Sequence, residues 1–420
     1  MGGPVSQSIL VVGGGMSGMT AAIEAAEAGY EVFLVEKNSY LGGRVAQLNQ
    51  YFPKLCPPYC GLEINFRRIK NNPKIKVFTL ATVESIAGQE GEFDVAILQR
   101  PRYVNEKCTC CGKCAEATTM EIDNPFNYGM DKIKAAYLPH DMAFPMRYVI
   151  DPALVQSPEA QKVKEACPYD AIDLDMQPQK IELKVGAIIW ATGWNPYDAR
   201  KLDTYGFGVY PDVITNVMME RMASWNGPTQ GKIIRPSNGE PPKTVAFVQC
   251  AGSRDENHLP FCSGVCCLAS MKQATYVREQ IPDAKIYIFY IDIRAKDRYE
   301  DFYNRVKEDE NVIFFKGKVA KIEQQEGSDQ LVLRVENTMT EELHEIAADL
   351  VVLATGMEPT TATEPLPIPV AYDDYQFLPG LVVQPGIYAA GCVRTPTNVA
   401  EVVQDGTAAA LKAIQSISRR

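Results

Sequence analysis

At 420 residues the chain can bury a large core and hold two or three domains. Its 46% hydrophobic and 22% charged composition is that of an ordinary globular protein, and its net charge of -10 gives a nucleic-acid role no electrostatic support. No apolar run reaches ~18 residues, so no transmembrane helix is expected. The opening MGGPVSQSILVV lacks a basic n-region and runs straight into a strand, so no signal peptide is expected either.

Ile9–Val12 is a short apolar run suited to a buried parallel strand. It breaks into Gly13-Gly14-Gly15-Met16-Ser17-Gly18, which fits G-x-G-x-x-G. Residues 19–28 then predict an Ala-rich helix, and Glu31–Val35 a second strand that ends at Glu36 and Lys37. In this pattern Gly13 allows the tight turn, Gly15 lets the backbone approach a pyrophosphate, and Gly18 lets the helix pack on the strand. The helix N-terminus offers free N–H groups to that pyrophosphate, and Glu36 is placed to accept from ribose hydroxyls. The bland alternative is a tight βαβ turn with no ligand.

Leu41-Gly42-Gly43-Arg44 resembles the second glycine cluster of flavoproteins with two dinucleotide-binding domains. Two apolar strands, residues 186–193 and 349–356, each end in Ala-Thr-Gly. The first gives Ala191, Thr192 and Gly193, and both resemble segments that bracket the second nucleotide domain of thioredoxin-reductase-like flavoproteins. Residues 386–391 resemble their closing flavin motif. The resemblance implies FAD rather than NAD, with Gly43, Arg44 and Gly391 near it. Where that motif normally continues with Asp, this chain has Cys392, so the ribityl contact must differ or come from the Gly391 backbone.

Twelve cysteines beside three histidines favour metal or redox use over a disulfide framework. Cys56-Pro-Pro-Tyr-Cys60-Gly61 is open to three readings: a redox-active disulfide, cluster ligation or plain packing. Its prolines argue against a regular helix over residues 51–61. Residues 74–79 and 93–99 read as strands.

The character changes at Arg102. Cys108, Cys111 and Cys114 form C-x2-C-x2-C, a spacing that can bind three irons of one cube. A bacterial ferredoxin would continue x3-C-P, but the chain has Thr118 there. The missing Cys-Pro appears at Cys167-Pro168, so Cys108, Cys111, Cys114 and Cys167 complete one [4Fe–4S] set. The cysteines of a second ferredoxin set are absent where the chain reads Pro152-Ala-Leu-Val-Gln-Ser. Zinc on the same four thiols is the rival reading; Cys110 is spare.

From Lys180 the flavoprotein pattern resumes. Residues 228–242, rich in Pro, Gly and Asn, read as a boundary, and Thr244–Cys250 as the strand that opens a second nucleotide domain. The turn after it reads Cys250-Ala-Gly-Ser-Arg-Asp-Glu-Asn, with one glycine, so nicotinamide binding is not expected. Cys262 and Cys266 are spaced i, i+4, which predicts one helix face. With Cys250 and Cys267 they suggest a second [4Fe–4S] cluster; packing or thiol redox chemistry are the alternatives. Residues 285–291 and 312–315 read as strands, residues 319–337 as a strand pair, and residues 399–417 as a closing helix.

The combination resembles the HdrA-like family, named for the HdrA polypeptide of heterodisulfide reductase. The match rests on Gln249-Cys-Ala-Gly-Ser-Arg-Asp-Glu, Phe261-Cys-Ser-Gly-Val-Cys-Cys and the inserted ferredoxin motif. It implies an α/β fold: two Rossmann-like dinucleotide-binding domains of thioredoxin-reductase type with an inserted ferredoxin-like domain. The expected segments are an FAD domain at 1–101, 180–238 and 346–420, the insert at 102–179, and the second Rossmann-like domain at 239–345. The single-cluster insert and the Cys56–Gly61 loop look most like the QmoA branch, which belongs to the quinone-interacting membrane-bound oxidoreductase of sulfate reducers. That branch implies an electron-transfer subunit with FAD and two [4Fe–4S] clusters. It implies a haem-bearing, quinone-linked partner, a further HdrA-like flavoprotein partner, and adenylylsulfate reductase as soluble electron partner. It also implies a cytoplasmic place at the membrane, held there by other subunits. Heterodisulfide reductase or sulfur-oxidising complexes are the alternative setting. A flavin disulfide reductase using Cys56 and Cys60 is the rival of another class.

Overall fold

A computed structural model describes residues 6–418. The chain opens with β1 (Ser8–Val12), α1 (Met16–Glu27) and β2 (Glu31–Glu36), followed by α2 (Tyr59–Asn71) and β3 (Ile75–Thr79). β4 (Ala81–Gln89) and β5 (Glu92–Gln99) form a hairpin. Residues 100–178 carry only short elements. These are α3 (Lys113–Glu116), β6 (Glu121–Asp123) paired with β7 (Lys132–Lys134), β8 (Ala136–Tyr137) paired with β9 (Val149–Ile150), α4 (Pro152–Val155) and α5 (Ala160–Glu165). β10 (Gln179–Val185), β11 (Ala187–Trp190) and β12 (Trp194–Pro196) follow.

The next stretch holds β13 (Val213–Thr215), α6 (Asn216–Ala223), β14 (Thr244–Ala251), α7 (Cys266–Gln280), β15 (Lys285–Tyr290), α8 (Tyr299–Lys307) and β16 (Val312–Lys316). β17 (Val319–Gln324), β18 (Leu331–Asn337) and β19 (Glu342–Ala348) then form an antiparallel sheet, and β20 (Leu350–Thr355) leads to β21 (Met357–Pro359). The chain ends in β22 (Val382–Gln384), β23 (Ile387–Ala389) and the long α9 (Val399–Ser418).

Two compact units result. Of the described residues, the first holds 6–46, 59–194 and 359–418; the second holds 47–58 and 195–358. In the first unit the main sheet runs β22-β23-β11-β1-β2-β3, with the β1–β2, β1–β11, β2–β3 and β11–β23 pairs parallel. Ile9 and Val11 of β1 enter the core shared with α1 and α9, while Leu10 and Val12 enter the core against β5 and β10. That is why the run is apolar at every position: both faces of the strand are covered.

The insertion is legible in the register. Gln99 at the end of β5 pairs with Gln179 at the start of β10, so residues 100–178 leave and rejoin the sheet at one point. The segment has its own core around Val104, Cys114, Leu154, Val163 and Ile172. Arg102 ties it to the main sheet: its buried guanidinium donates to the Ser39 carbonyl and to Thr79 Oγ1 at 2.9 Å.

In the second unit the parallel sheet runs β13-β20-β14-β15-β16. One face packs on β17, β18 and β19 through Ala246, Val248, Val351 and Leu353. The other carries α6 and α7. The division between units falls at 194/195 and 358/359, not at the expected 238/239 and 345/346. The reason is pairing: β13 and β20 are neighbours in one sheet, and β14 lies on the other side of β20. Residues 228–242 are therefore a connection inside the second unit, pinned by Arg235 and Ser237 on the buried carboxylate of Asp212, at 2.8 and 2.7 Å. The helix α2, beginning just past Pro57-Pro58, corrects the expectation that this stretch is non-helical to residue 61. Proline is tolerated at a helix start, where its missing N–H has no intrahelical partner anyway.

Candidate functional site

The first unit builds a cradle at the C-terminal end of β1. Only residues 13–15 separate strand from helix. Gly13 has φ +106, and a Cβ on it would lie 2.3 Å from the Ala191 carbonyl oxygen. A Cβ on Gly18 would lie 1.8 Å from the Gly13 carbonyl oxygen. Both glycines are thus demanded by the fold itself. Gly15 is different. Its φ of -77 and ψ of -173 suit any residue, and the nearest atom to a Cβ there is the Gly43 Cα, 4.0 Å away. Neither backbone nor packing requires glycine at position 15, so its backbone lies open to close approach.

The Gly42-Gly43 turn lies over this point. Gly43 has φ +55, and a Cβ on it would come within 2.9 Å of the Gly15 Cα. Helix α1 starts with no side-chain cap and no acidic residue in its first turn, so its leading N–H groups are available to an anion. Ser17, in that turn, packs its hydroxyl against Gly391: a Cβ on Gly391 would lie 2.2 Å from Ser17 Oγ. The Ala191-Thr192-Gly193 turn closes another side. Thr192 Oγ1 is 2.6 Å from Thr360 Oγ1, and Gly193 has φ +78.

Glu36 is buried, and both its oxygens already serve the chain. Oε2 accepts from the Gly14 N–H at 2.6 Å and Oε1 from the Asn38 N–H at 2.7 Å. Burial pushes its carboxyl up, and the two N–H bonds oppose that. Each oxygen keeps a further lone pair for a hydroxyl. Lys37 turns to Glu364, at 2.6 Å on the surface. Arg44 is held by the Trp194 carbonyl at 3.3 Å and by Tyr128 of the insertion, with both aromatic rings under 6 Å from its guanidinium carbon.

At the closing turn, Cys392 is buried with its Sγ 3.6 Å from the Thr397 carbonyl, and burial pushes its thiol up to about 11. The carboxylate at this turn comes from elsewhere. Asp405 on α9 accepts from the Gly391 N–H at 2.6 Å and pairs with Arg394. Sequence reading missed Asp405. Its only signal was one acid beside Gly406 near the start of an Ala-rich helix.

In the insertion, Val104 bridges Ile172, and the Asn105 N–H bonds the Ala171 carbonyl at 2.8 Å. This pairing brings the Cys108–Cys114 loop beside Cys167. Cys108 and Cys167 pack against the core that contains Cys114. Burial pushes the Cys114 thiol up to about 12, and the Cys108 and Cys111 thiols add to that. Gly112 at φ +81 and Cys110 at φ +58 shape the loop. Burial, then Cys108, pushes Cys110 up to about 11. Where a second ferredoxin set would meet position 118, Thr118 and Thr119 instead donate to the Glu159 carboxylate beside α5.

In the second unit, Cys250, Cys262, Cys266 and Cys267 come together around the start of α7. Burial raises the Cys250 and Cys266 thiols, and their neighbours add to it: Cys267 and Cys262 raise Cys250, and all three others raise Cys266. Cys266 Sγ lies 3.7 Å from the Thr355 carbonyl and Cys267 Sγ 3.8 Å from the Asp292 carbonyl. Helix α7 begins at Cys266, so Cys262 precedes it, and the expected i, i+4 face is not what unites them. They meet because residues 252–265 loop back, held by Arg254 on Asp292 at 2.7 Å, Asp255 on Lys318 at 2.7 Å and a 2.8 Å Tyr197–His258 bond. No glycine cradle of the β1–α1 kind is built here.

None of the twelve cysteines is in a disulfide. Cys56 and Cys60 are exposed, Cys56 in the 47–58 loop of the second unit and Cys60 in the first turn of α2. Among the described residues no three His, Cys, Asp or Glu side chains converge on one ion position. A cubane asks for something wider, one thiolate on each of four irons. No helix among the described residues is long and apolar enough to cross a membrane.

Comparison with known proteins follows the same lines. A family model described as FAD dependent oxidoreductase matches residues 8–59. The A subunit of the ferredoxin/F(420)H(2)-dependent CoB-CoM heterodisulfide reductase of Methanosarcina acetivorans is 40% identical over 98% of this chain and 53% of its own length. The second iron-sulfur A subunit of the CoB–CoM heterodisulfide reductase of Methanopyrus kandleri is 38% identical over 99% of this chain and 65% of its own length. The chain thus spans about half to two thirds of these relatives. Thioredoxin reductase of Lactococcus lactis superposes with a TM-score of 0.55 over 99% of this chain and 100% of its own, at 14% identity. That of T. acidophilum gives 0.54 over 97% and 98%, also at 14%. These two likenesses are of fold alone.

Proposed function

The chain is a homologue, over nearly its whole length, of the HdrA polypeptides of the heterodisulfide reductases, and from that premise we propose that it is an FAD and iron–sulfur electron-transfer subunit of a larger oxidoreductase. What supports the reading is the Gly15 cradle together with two groups of cysteines in one chain, one in the insertion and one around the start of α7.

FAD fits the cradle. Gly15 leaves its backbone open, α1 presents uncapped N–H groups, and Glu36 retains acceptor capacity. The flavin supplies an exchange between two-electron and one-electron chemistry, and the chain supplies binding, orientation and burial. Cys108, Cys111, Cys114 and Cys167 would hold one [4Fe–4S] cluster; Cys250, Cys262, Cys266 and Cys267 would hold the other. The segment boundaries follow: an FAD domain in the first unit, a ferredoxin-like insert at 100–178, and a cluster domain in the second unit.

The finer reading is the QmoA-like role, between a quinone-linked membrane module and adenylylsulfate reductase. It is supported by the single four-cysteine set of the insert and by the Cys56-Pro-Pro-Tyr-Cys60-Gly61 loop. Membrane attachment through partner subunits belongs to the same proposal. The alternative is the role named for the relatives, in a heterodisulfide reductase complex with ferredoxin as electron partner.

The test is iron, sulfide, zinc and flavin content of anaerobically purified protein, with EPR after reduction. About one FAD and about eight irons per chain are expected. About four irons would remove one cysteine set from the proposal. Zinc in place of iron would end the electron-relay reading.

A further inference from the structure

One residue beside the second cysteine set has no task within the chain, and the inference from it rests on the two-cluster reading above. β14 and β20 keep parallel register from Val245 opposite Leu350 to Val248 opposite Leu353, then resume with Ala251 opposite Thr355. Gln249 and Cys250 together therefore face the single Ala354, a bulge, and Cys250 takes φ +56. The core with β17, β18 and β19 receives Ala246 and Val248, and next Ala251. In an unbroken strand residue 250 would share that face, because successive side chains alternate. Gln249 points away from that face by ordinary alternation, and the bulge keeps Cys250 from returning to it, so both lie toward the face that carries α7 and its leading pair Cys266 and Cys267. Re-aiming a side chain is what such bulges do.

Cys250 joins the thiols. Gln249 joins nothing. Its side chain is 4% exposed, and neither Oε1 nor Nε2 has a hydrogen-bond partner. Buried amides are almost always bonded, since an orphaned one forfeits its hydration without return. Ser270, one turn beyond Cys266 and wholly buried, also has a hydroxyl without a partner. A buried strand end thus carries an unpartnered amide next in sequence to Cys250.

We propose that Gln249 is the hydrogen-bond donor to the sulfur shell of the second iron–sulfur cluster and sets its reduction potential. The chemistry is complementary. Thiolate and sulfide sulfurs accept and do not donate, and Nε2–H is the only donor the side chain has. A donor on sulfur favours the more negative, reduced cluster and so raises the potential.

The experiment is a redox titration of the full chain, loaded anaerobically and followed by EPR, for wild type, Gln249→Met and Gln249→Glu. Methionine keeps the length and removes the N–H; glutamate keeps the shape and puts an acceptor where the donor was. Cys262→Ser identifies which EPR signal belongs to this set. With wild-type iron and flavin content, that signal is expected at a more negative potential in Gln249→Met, further so in Gln249→Glu, while the insert's signal stays in place. An unmoved potential at full iron content in either variant overturns the role of Gln249 and leaves the two-cluster reading standing. A wild-type protein with about four irons and no signal lost in Cys262→Ser overturns both.

Discussion

Gly15→Ala separates the demands of the fold from those of the ligand. The new methyl would meet nothing closer than the Gly43 Cα at 4.0 Å, an ordinary contact, on a backbone that alanine adopts freely. The flavin-free protein should keep its stability, and removing a glycine from the unfolded chain can add about 0.4–1 kcal/mol. The same methyl points into the space beside the uncapped start of α1. A methyl forced into a filled contact costs about 1–3 kcal/mol. That is about 5- to 150-fold in the dissociation constant for FAD. Gly18→Ala is the contrast: its Cβ would lie 1.8 Å from the Gly13 carbonyl oxygen, so helix and strand must part whether or not flavin is present. The assay pairs urea unfolding of flavin-free protein with flavin titration by fluorescence quenching. Unchanged flavin affinity in Gly15→Ala would refute the placement of the pyrophosphate over this turn.

Lys272 and Glu220 form an ion pair at 2.9 Å, both about 3–4% exposed, and the same carboxylate accepts from Gln273 and from the Asn49 N–H. Lys272→Met strands that buried carboxylate and should cost the second unit about 3–5 kcal/mol in urea unfolding, whereas Lys272→Met with Glu220→Gln should recover part of the loss. Glu159 is held down at about 2, chiefly by the Thr118 and Thr119 hydroxyls, below its ordinary value of 4.5. Its contribution is thus fully present above about pH 4.5 and is lost as pH falls toward 2; Glu159→Gln should remove that acid sensitivity from hydrogen exchange of the insert. Cys114→Ser should lose about four irons and Cys110→Ser none, by iron assay; the reverse would redraw the ligand set.

The opening βαβ unit was legible because three signals coincide there: an apolar strand, fixed glycine spacing and a terminal acid. The strands β14, β15 and β16 were legible for the simpler reason that buried parallel strands are apolar throughout. What escaped was set by tertiary pairing. Residues 195–238 carry no mark assigning β13 to β20 rather than to the FAD sheet; only the sheet order does so. The third antiparallel strand, β19, escaped because Leu343 and His344 interrupt a polar run with little alternation. Asp405 could not be placed from sequence, since its tie to Gly391 depends on how α9 packs along α1, where a Cβ on Gly406 would meet the Ser17 carbonyl oxygen at 2.5 Å. The i, i+4 spacing of Cys262 and Cys266 suggests a helix face, but α7 begins only at Cys266, and a loop brings the two residues together.

The two strand-to-helix turns of the chain answer the same topological question differently. In each, a central parallel strand ends at the face where such sheets bind ligands. After β1 the chain turns within residues 13–15, and glycine is forced at 13 by the Ala191 carbonyl and at 18 by the Gly13 carbonyl. The backbone then lies open at Gly15, as a pyrophosphate needs. After β14 the strand is broken by the bulge at Gln249 and Cys250 before it ends, and residues 252–265 form a loop anchored by Arg254, Asp255 and His258. Helix α7 then starts behind Val265 with Cys266 and Cys267, so thiols occupy the place where the first turn keeps bare backbone. A phosphate cradle works by leaving side chains out, whereas the bulge and long loop after β14 bring cysteine side chains in; one geometry cannot serve both, and the cluster proposed for these thiols would stand where a cradle is not built.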